Sequence, residues 1–123
     1  FIATPVPDRP TRCDTLAPVL DWILANLDQP LTVGAMAAQA LTSPRTFARR
    51  FTAEVGETPL QWLIRQRVHR AQALLETTEM GLDHIASACG FGSAASLRVH
   101  FQRVAGTSPS AYRRTFRQAL GSA

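Results

Sequence analysis

Between Ser43 and Val55 the chain reads Ser-Pro-Arg-Thr-Phe-Ala-Arg-Arg-Phe-Thr-Ala-Glu-Val, and its cations are spaced for one kind of chemistry. Arg45 and Arg49 stand at i and i+4, on the side of a helical wheel opposite Phe47 and Phe51. Two guanidinium groups on an exposed helix face can each grip O6 and N7 of guanine, the commonest specific contact in the major groove of duplex DNA. Thr46 and Arg50 flank them, where phosphate is the expected partner. A merely solvated surface helix is charged in the same way. The surrounding elements must therefore decide.

Those elements are helical. Ser43-Pro44 supplies an N-cap and a first-turn proline, and Gly56 supplies a C-terminal stop. Upstream, Thr32 caps a helix with the inner face Val33, Met36, Ala37 and Ala40. Before it, Leu16, Val19, Leu20, Ile23, Leu24 and Leu27 keep helical spacing from a cap at Asp14 or Thr15 to a stop at Asp28-Gln29-Pro30. Downstream, Thr58-Pro59 opens a long helix carrying Leu60, Leu63, Ile64, Val68, Ala71, Leu74 and Leu75. At about 20 residues it would be a rod of ~30 Å, fraying near Thr77-Thr78.

The pattern then repeats. Met36-Ala37-x-x-Ala40 returns as Ile85-Ala86-x-x-Cys89, Phe47-x-x-x-Phe51 as Leu97-x-x-x-Phe101, and Val55-Gly56-Glu57-Thr58-Pro59-x-x-Trp62 as Ala105-Gly106-Thr107-Ser108-Pro109-x-x-Tyr112. The offset grows by one residue around Gly90-Phe91-Gly92, so the second copy has a longer turn. A duplicated unit of this size predicts an all-α fold of about seven helices: two helix-turn-helix subdomains joined by a long linker helix. The expected boundaries are a linker over 1–13, a first subdomain over 14–57, the linker helix over 58–79, a second subdomain over 80–118 and a tail over 119–123. Phe1 in place of an initiator Met suggests a piece of a longer protein.

In the second copy Ala95, Val99 and Gln102 lie opposite Leu97 and Phe101, with Arg98 to one side and Ser96, His100 and Arg103 to the other. Val99 takes the place of Arg49. It cannot donate to a base, but it can pack on a thymine methyl, so the two helices should read different bases. Successive major-groove faces lie ~34 Å apart, close to the expected length of the linker helix. One monomeric chain could therefore place helices 43–55 and 94–105 in adjacent grooves of an asymmetric site.

Composition agrees. The net charge is +4, all basic residues are Arg, and no acid follows Asp83, which leaves Arg98, Arg103, Arg113, Arg114 and Arg117 without a later acid. Such a balance suits a polyanionic partner. No apolar run is long enough to span a bilayer and no signal peptide opens the chain, which makes the cytoplasm the expected location. His69, His84 and His100 have no ligand spacing with one another or with Cys13 and Cys89, and neither a phosphate loop nor a nucleophile triad appears. The expectation is no enzyme, no metal and no cofactor. Cys89 is expected as a buried thiol, Trp22 and Trp62 as core, and Arg67 and Arg70 as structural partners of Glu76, Glu79 or Asp83. The alternative function is a helical adaptor meeting an acidic protein partner such as a polymerase subunit. RNA binding is weaker, for want of an exposed aromatic platform.

Ser43-Pro44-Arg45-Thr46-Phe47-Ala48-Arg49-Arg50-Phe51, Arg67-x-x-Arg70-Ala71-x-x-Leu74-Leu75, and Ile85-Ala86-x-x-Cys89-Gly90-Phe91 followed by Phe101-x-x-x-x-Gly106-x-Ser108-Pro109-x-x-Tyr112 together resemble the AraC/XylS family of transcription regulators. The resemblance runs from about Leu16 to Phe116. It implies seven helices, two helix-turn-helix units and sequence-specific binding to promoter DNA. Carried over by position, it puts base contacts on Arg45, Ala48 and Arg49 in the first unit and on Ala95, Arg98 and Val99 in the second. Backbone contacts are expected from Ser43, Thr46 and Arg50 and from Ser96, His100 and Arg103, with RNA polymerase as a further partner. The lead-in Phe1-Ile2-Ala3-Thr4-Pro5-Val6-Pro7 and the segment Leu27-Asp28-Gln29-Pro30-Leu31-Thr32 resemble the branch whose upstream effector domain is similar to DJ-1/PfpI and class I glutamine amidotransferase proteins.

Overall fold

Most of the helices begin where a side-chain oxygen or a proline can start them, and four end at or just before a left-handed residue. The computed structural model describes residues 16–122, and among these the chain forms α1 (Ala17–Ala25), α2 (Val33–Gln39), α3 (Pro44–Val55), α4 (Pro59–Thr77), α5 (Leu82–Cys89), α6 (Ala94–Ala105) and α7 (Pro109–Ser122). Thr32 Oγ1 accepts from the Ala35 amide at 3.0 Å to start α2. Ser43 and Ser93 do the same for α3 and α6, accepting from Thr46 at 3.2 Å and Ser96 at 3.1 Å. Each such cap contributes about 1 kcal/mol. The expected caps Asp14 and Thr15, the segment 1–13 and Cys13 lie outside the described residues.

The chain divides into two compact units. Of the described residues, 16–26 and Leu31–Pro59 form the first, and Leu27–Pro30 with 60–122 form the second. The helix expected as the linker over 58–79 falls, from Leu60 on, within the second unit. In the first, α2 packs against α1 and α3. Val19, Ile23, Met36, Ala37, Phe47 and Phe51 are buried, and the two phenylalanine rings lie 5.6 Å apart. Full burial of each large side chain contributes roughly 1.5–3 kcal/mol. Leu24 of α1 was expected inward but is 42% exposed, and Leu20 is half-buried. A nine-residue helix has one narrow stripe to bury, and Val19 and Ile23 fill it.

The second unit buries Val68, Ala71 and Leu75 of α4 against Ile85, Ala86, Cys89, Leu97 and Phe101. Cys89 is a free thiol there, and burial pushes its pKa up to about 11, against the pull of Arg70 and Arg67. Trp22 and Trp62 are half-buried and stand outside the fully buried core, as large indoles often do.

Helix α7 closes the end of α4. Arg113 donates to the Leu75 and Thr78 carbonyls at 3.2 and 3.0 Å, and Arg117 donates to the Thr78 carbonyl at 3.3 Å and to Glu79 at 2.6 Å. Cations here satisfy carbonyls that the helix itself leaves without partners. Tyr112 donates its hydroxyl to Glu76, and that bond, with burial, pushes the phenol up to about 12. Two of the arginines that have no later acid in the sequence are therefore engaged by groups at the end of α4. The residues expected as a tail also differ: 119–122 continue α7.

Arg67 is structural, but not through a carboxylate. Its Nε and Nη2 donate to the Leu27 and Gln29 carbonyls at 3.0 and 2.8 Å. Burial pulls its guanidinium below the usual arginine value, partly offset by Cys89. Two of the three carboxylates expected for this role are engaged by α7 instead: Glu76 by Tyr112, and Glu79 by Arg117.

Candidate nucleic-acid interface

Helices α3 and α6 have the same length, twelve residues, and the same construction: a serine cap, two buried inward side chains one turn apart, and a left-handed glycine at the C-cap. In α3, burial of Phe47 and Phe51 turns Arg45 and Arg49 outward, where both are exposed and make no hydrogen bond or ion pair among the described residues. Ala48 and Thr46 are half-buried beside them, and Ser43 is exposed at the cap. Arg50, also half-buried, has its Nε 3.6 Å from Glu54.

In α6, burial of Leu97 and Phe101 exposes Ala95, Arg98, Val99 and Arg103, with Ser96 half-buried. Both caps satisfy the amide three residues on, so Val99 occupies in α6 the register that Arg49 occupies in α3. His100, expected among the phosphate contacts, has its ring stacked on Phe91 at 5.6 Å and 20° between planes. Its Nδ1 is shielded from solvent with no hydrogen-bond partner among the described residues. Burial, together with Arg103 and Arg67, holds its pKa below the ordinary histidine value.

The turns feeding the two helices share a bonding pattern. The Leu41 and Thr42 amides bond the Ala38 and Ala37 carbonyls, each at 3.1 Å; the Gly90 and Phe91 amides bond those of Ser87 and Ala86 at 3.2 and 2.9 Å. Both turns pass through a left-handed residue, Gly90 at φ 85° and Leu41 at φ 57°. Sequence reasoning missed Leu41, since leucine gives no turn signal; its alignment with Gly90 at the shorter offset is the clue that was there. Among the described residues, no group of three His, Cys, Asp or Glu side chains could hold a metal ion, and no helix is long and apolar enough to cross a membrane.

Two tandem helix-turn-helix units, each presenting a capped helix with an exposed outer face, define the class. Residues 36–115 match the family model described as a helix-turn-helix domain. The chain is 43% identical over 84 residues to an HTH-type transcriptional regulator of Mycobacterium tuberculosis, covering 68% of this chain and 32% of that protein. It is 35% identical over 113 residues to a putative AraC-like transcription regulator of Streptomyces lividans, covering 92% of this chain and 34% of that one. The chain spans about a third of the length of these curated relatives. Among solved structures it is similar to the DNA-binding domain of AdpA, a global transcriptional factor crystallised with a target DNA. The TM-score there is 0.84 at 47% identity, covering 89% of this chain and 99% of that one. The C-terminal domain of AraT, a response regulator from Geobacillus stearothermophilus, matches at TM-score 0.79 and 28% identity over 81% of this chain and 84% of that one. The chain belongs to the AraC family of helix-turn-helix domains.

Proposed function

We propose that this domain binds duplex DNA sequence-specifically at promoters and regulates transcription, with α3 and α6 entering successive major grooves. The observation that carries this is the outward pair Arg45 and Arg49 on a capped helix, in a chain that shares its fold and 47% of its aligned residues with a DNA-binding domain crystallised on its target. Arg45 and Arg49 suit guanine edges, with Ala48 small enough to let the helix approach closely. Ala95, Arg98 and Val99 face the bases from the second unit. Ser43, Thr46, Arg50, Ser96, His100 and Arg103 lie towards the phosphates. The duplicated unit puts two reading helices in one chain, which supports a single monomeric chain on an asymmetric site. In this reading the intact protein carries an upstream effector domain, of the DJ-1/PfpI kind to which the lead-in resemblance points, acts in the cytoplasm and meets RNA polymerase at the promoter.

The test is a gel shift on promoter fragments with excess nonspecific competitor, repeated across salt concentrations, with sedimentation of the complex. The expected result is a preferred duplex bound by one chain, with affinity falling steeply as salt rises. Equal affinity for all duplexes, or binding only as a dimer on a palindrome, would overturn it.

A further inference from the structure

The outer face of α6 is unlike that of α3 at one register. Where α3 has a cation with five donors, α6 has Val99, 56% exposed, with no polar atom. Its immediate surroundings on that face are Ala95, one turn earlier and exposed, and Arg98 and Gln102, also exposed. Neither packing nor local structure explains the choice. The core stripe of α6 is complete with Leu97 and Phe101, both fully buried, and a β-branched residue is a mediocre helix former.

The edges of the base pairs in the major groove carry one apolar group, the 5-methyl of thymine. Resting on the proposal that α6 reads duplex DNA, we propose that Val99 is a specificity-determining residue that reads a 5-methyl group on a pyrimidine. Ala95 leaves the room for that methyl to approach, and Arg103 holds the helix to the polyanion. Because Val99 makes no hydrogen bond, it senses the methyl and not the rest of the base. Thymine should then be preferred to uracil, and 5-methylcytosine to cytosine, at that one position. The second half of the site would read methylation of cytosine as it reads thymine.

The experiment uses the full chain and the preferred duplex from the gel-shift selection. Each thymine is replaced in turn by deoxyuridine, which removes only the methyl. At one thymine, in the half not relaxed by Arg49→Ala, the wild type should lose about fourfold in affinity, the worth of one buried methyl. With cytosine and then 5-methylcytosine at that position, methylation should restore about the same factor. Val99→Ala, whose fold is checked by circular dichroism, should bind the methylated and unmethylated duplexes alike. The inference is overturned if no thymine in that half responds to loss of its methyl, or if Val99→Ala keeps the full response. Failure to select any preferred duplex would instead bring down the DNA-binding proposal, and this inference with it.

Discussion

The two helix-turn-helix units solve one problem with different residues at the turn. Both α2 and α5 end by passing through a left-handed residue that lets two amides bond back to the helix. At Gly90 a Cβ would lie 2.1 Å from the Leu27 carbonyl oxygen and 2.8 Å from Arg67 Nε. At Leu41 the side chain is 92% exposed, so nothing presses on it. The left-handed step belongs to the turn, but the demand for glycine comes from the neighbour. In the second unit Leu27 and Arg67 occupy the space a side chain would need, and Arg67 bonds that same carbonyl.

The largest expected effect breaks this symmetry directly. Gly90→Ala adds a left-handed strain and a collision with backbone, and should destabilise the domain by on the order of 3 kcal/mol in urea unfolding. Leu41→Ala should change stability by no more than about 0.5 kcal/mol, because it leaves the backbone conformation and the open space as they are. Similar losses at the two positions would show that close packing is not what separates them.

The same contrast runs through the outer faces. Arg49→Ala should relax base preference and cost about 1–3 kcal/mol on the preferred duplex, measured by fluorescence anisotropy. Arg50→Ala and Arg103→Ala should weaken all sequences together and each shallow the salt slope by about one unit. If Arg49→Ala lowered specific and nonspecific affinity by one factor with helix content intact, α3 would not be the first reader.

The parts legible in sequence are those fixed by local chemistry. Ser43-Pro44, Thr32 and Gly56 announce helix ends because capping acts within three or four residues, and the Phe47/Phe51 and Leu97/Phe101 pairs orient both outer faces through helical periodicity alone. The partners of the arginines were not legible. Arg67 reaches carbonyls 40 and 38 residues away, and Arg113 and Arg117 reach the end of α4 across a similar separation. Backbone carbonyls carry no mark in the sequence, so a search for carboxylate partners looks in the wrong place. His100 is the other case. The wheel puts it on a polar flank, and its ring stacks on Phe91 of the longer turn, a contact that helical periodicity does not show.

A smaller effect sharpens the turn comparison from the other side. Holding a leucine left-handed costs roughly 1–2 kcal/mol. Glycine relieves that strain but gives back about 0.4–1 kcal/mol through the added freedom of its unfolded chain. Leu41→Gly should therefore stabilise the first unit by about 0.5–1 kcal/mol in urea unfolding. A destabilised variant would mean that the exposed leucine makes a contact that its open surroundings do not suggest.

The smallest effect is a pH dependence confined to the second unit, where His100 stands at the place of Arg50. Its folded pKa lies below the ordinary 6.5, first because burial disfavours the cation and then because Arg103 and Arg67 repel it. Above about 6.5 the imidazole is neutral in both states, and its contribution to stability is fully present. As pH falls the unfolded chain takes the proton first, so stability is lost progressively as pH passes down through the lowered folded value. The sign is opposite to that of a histidine paired with a carboxylate. The size is modest, because the ring is only half-buried and solvent screens the arginines. His100→Phe keeps an aromatic ring against Phe91 and removes the titration. Unfolding at pH 7.5 and pH 5 should show the wild type losing more stability than this variant between the two conditions. Equal losses would leave the shielded Nδ1 without an energetic consequence and would overturn the assignment of this acid sensitivity to His100.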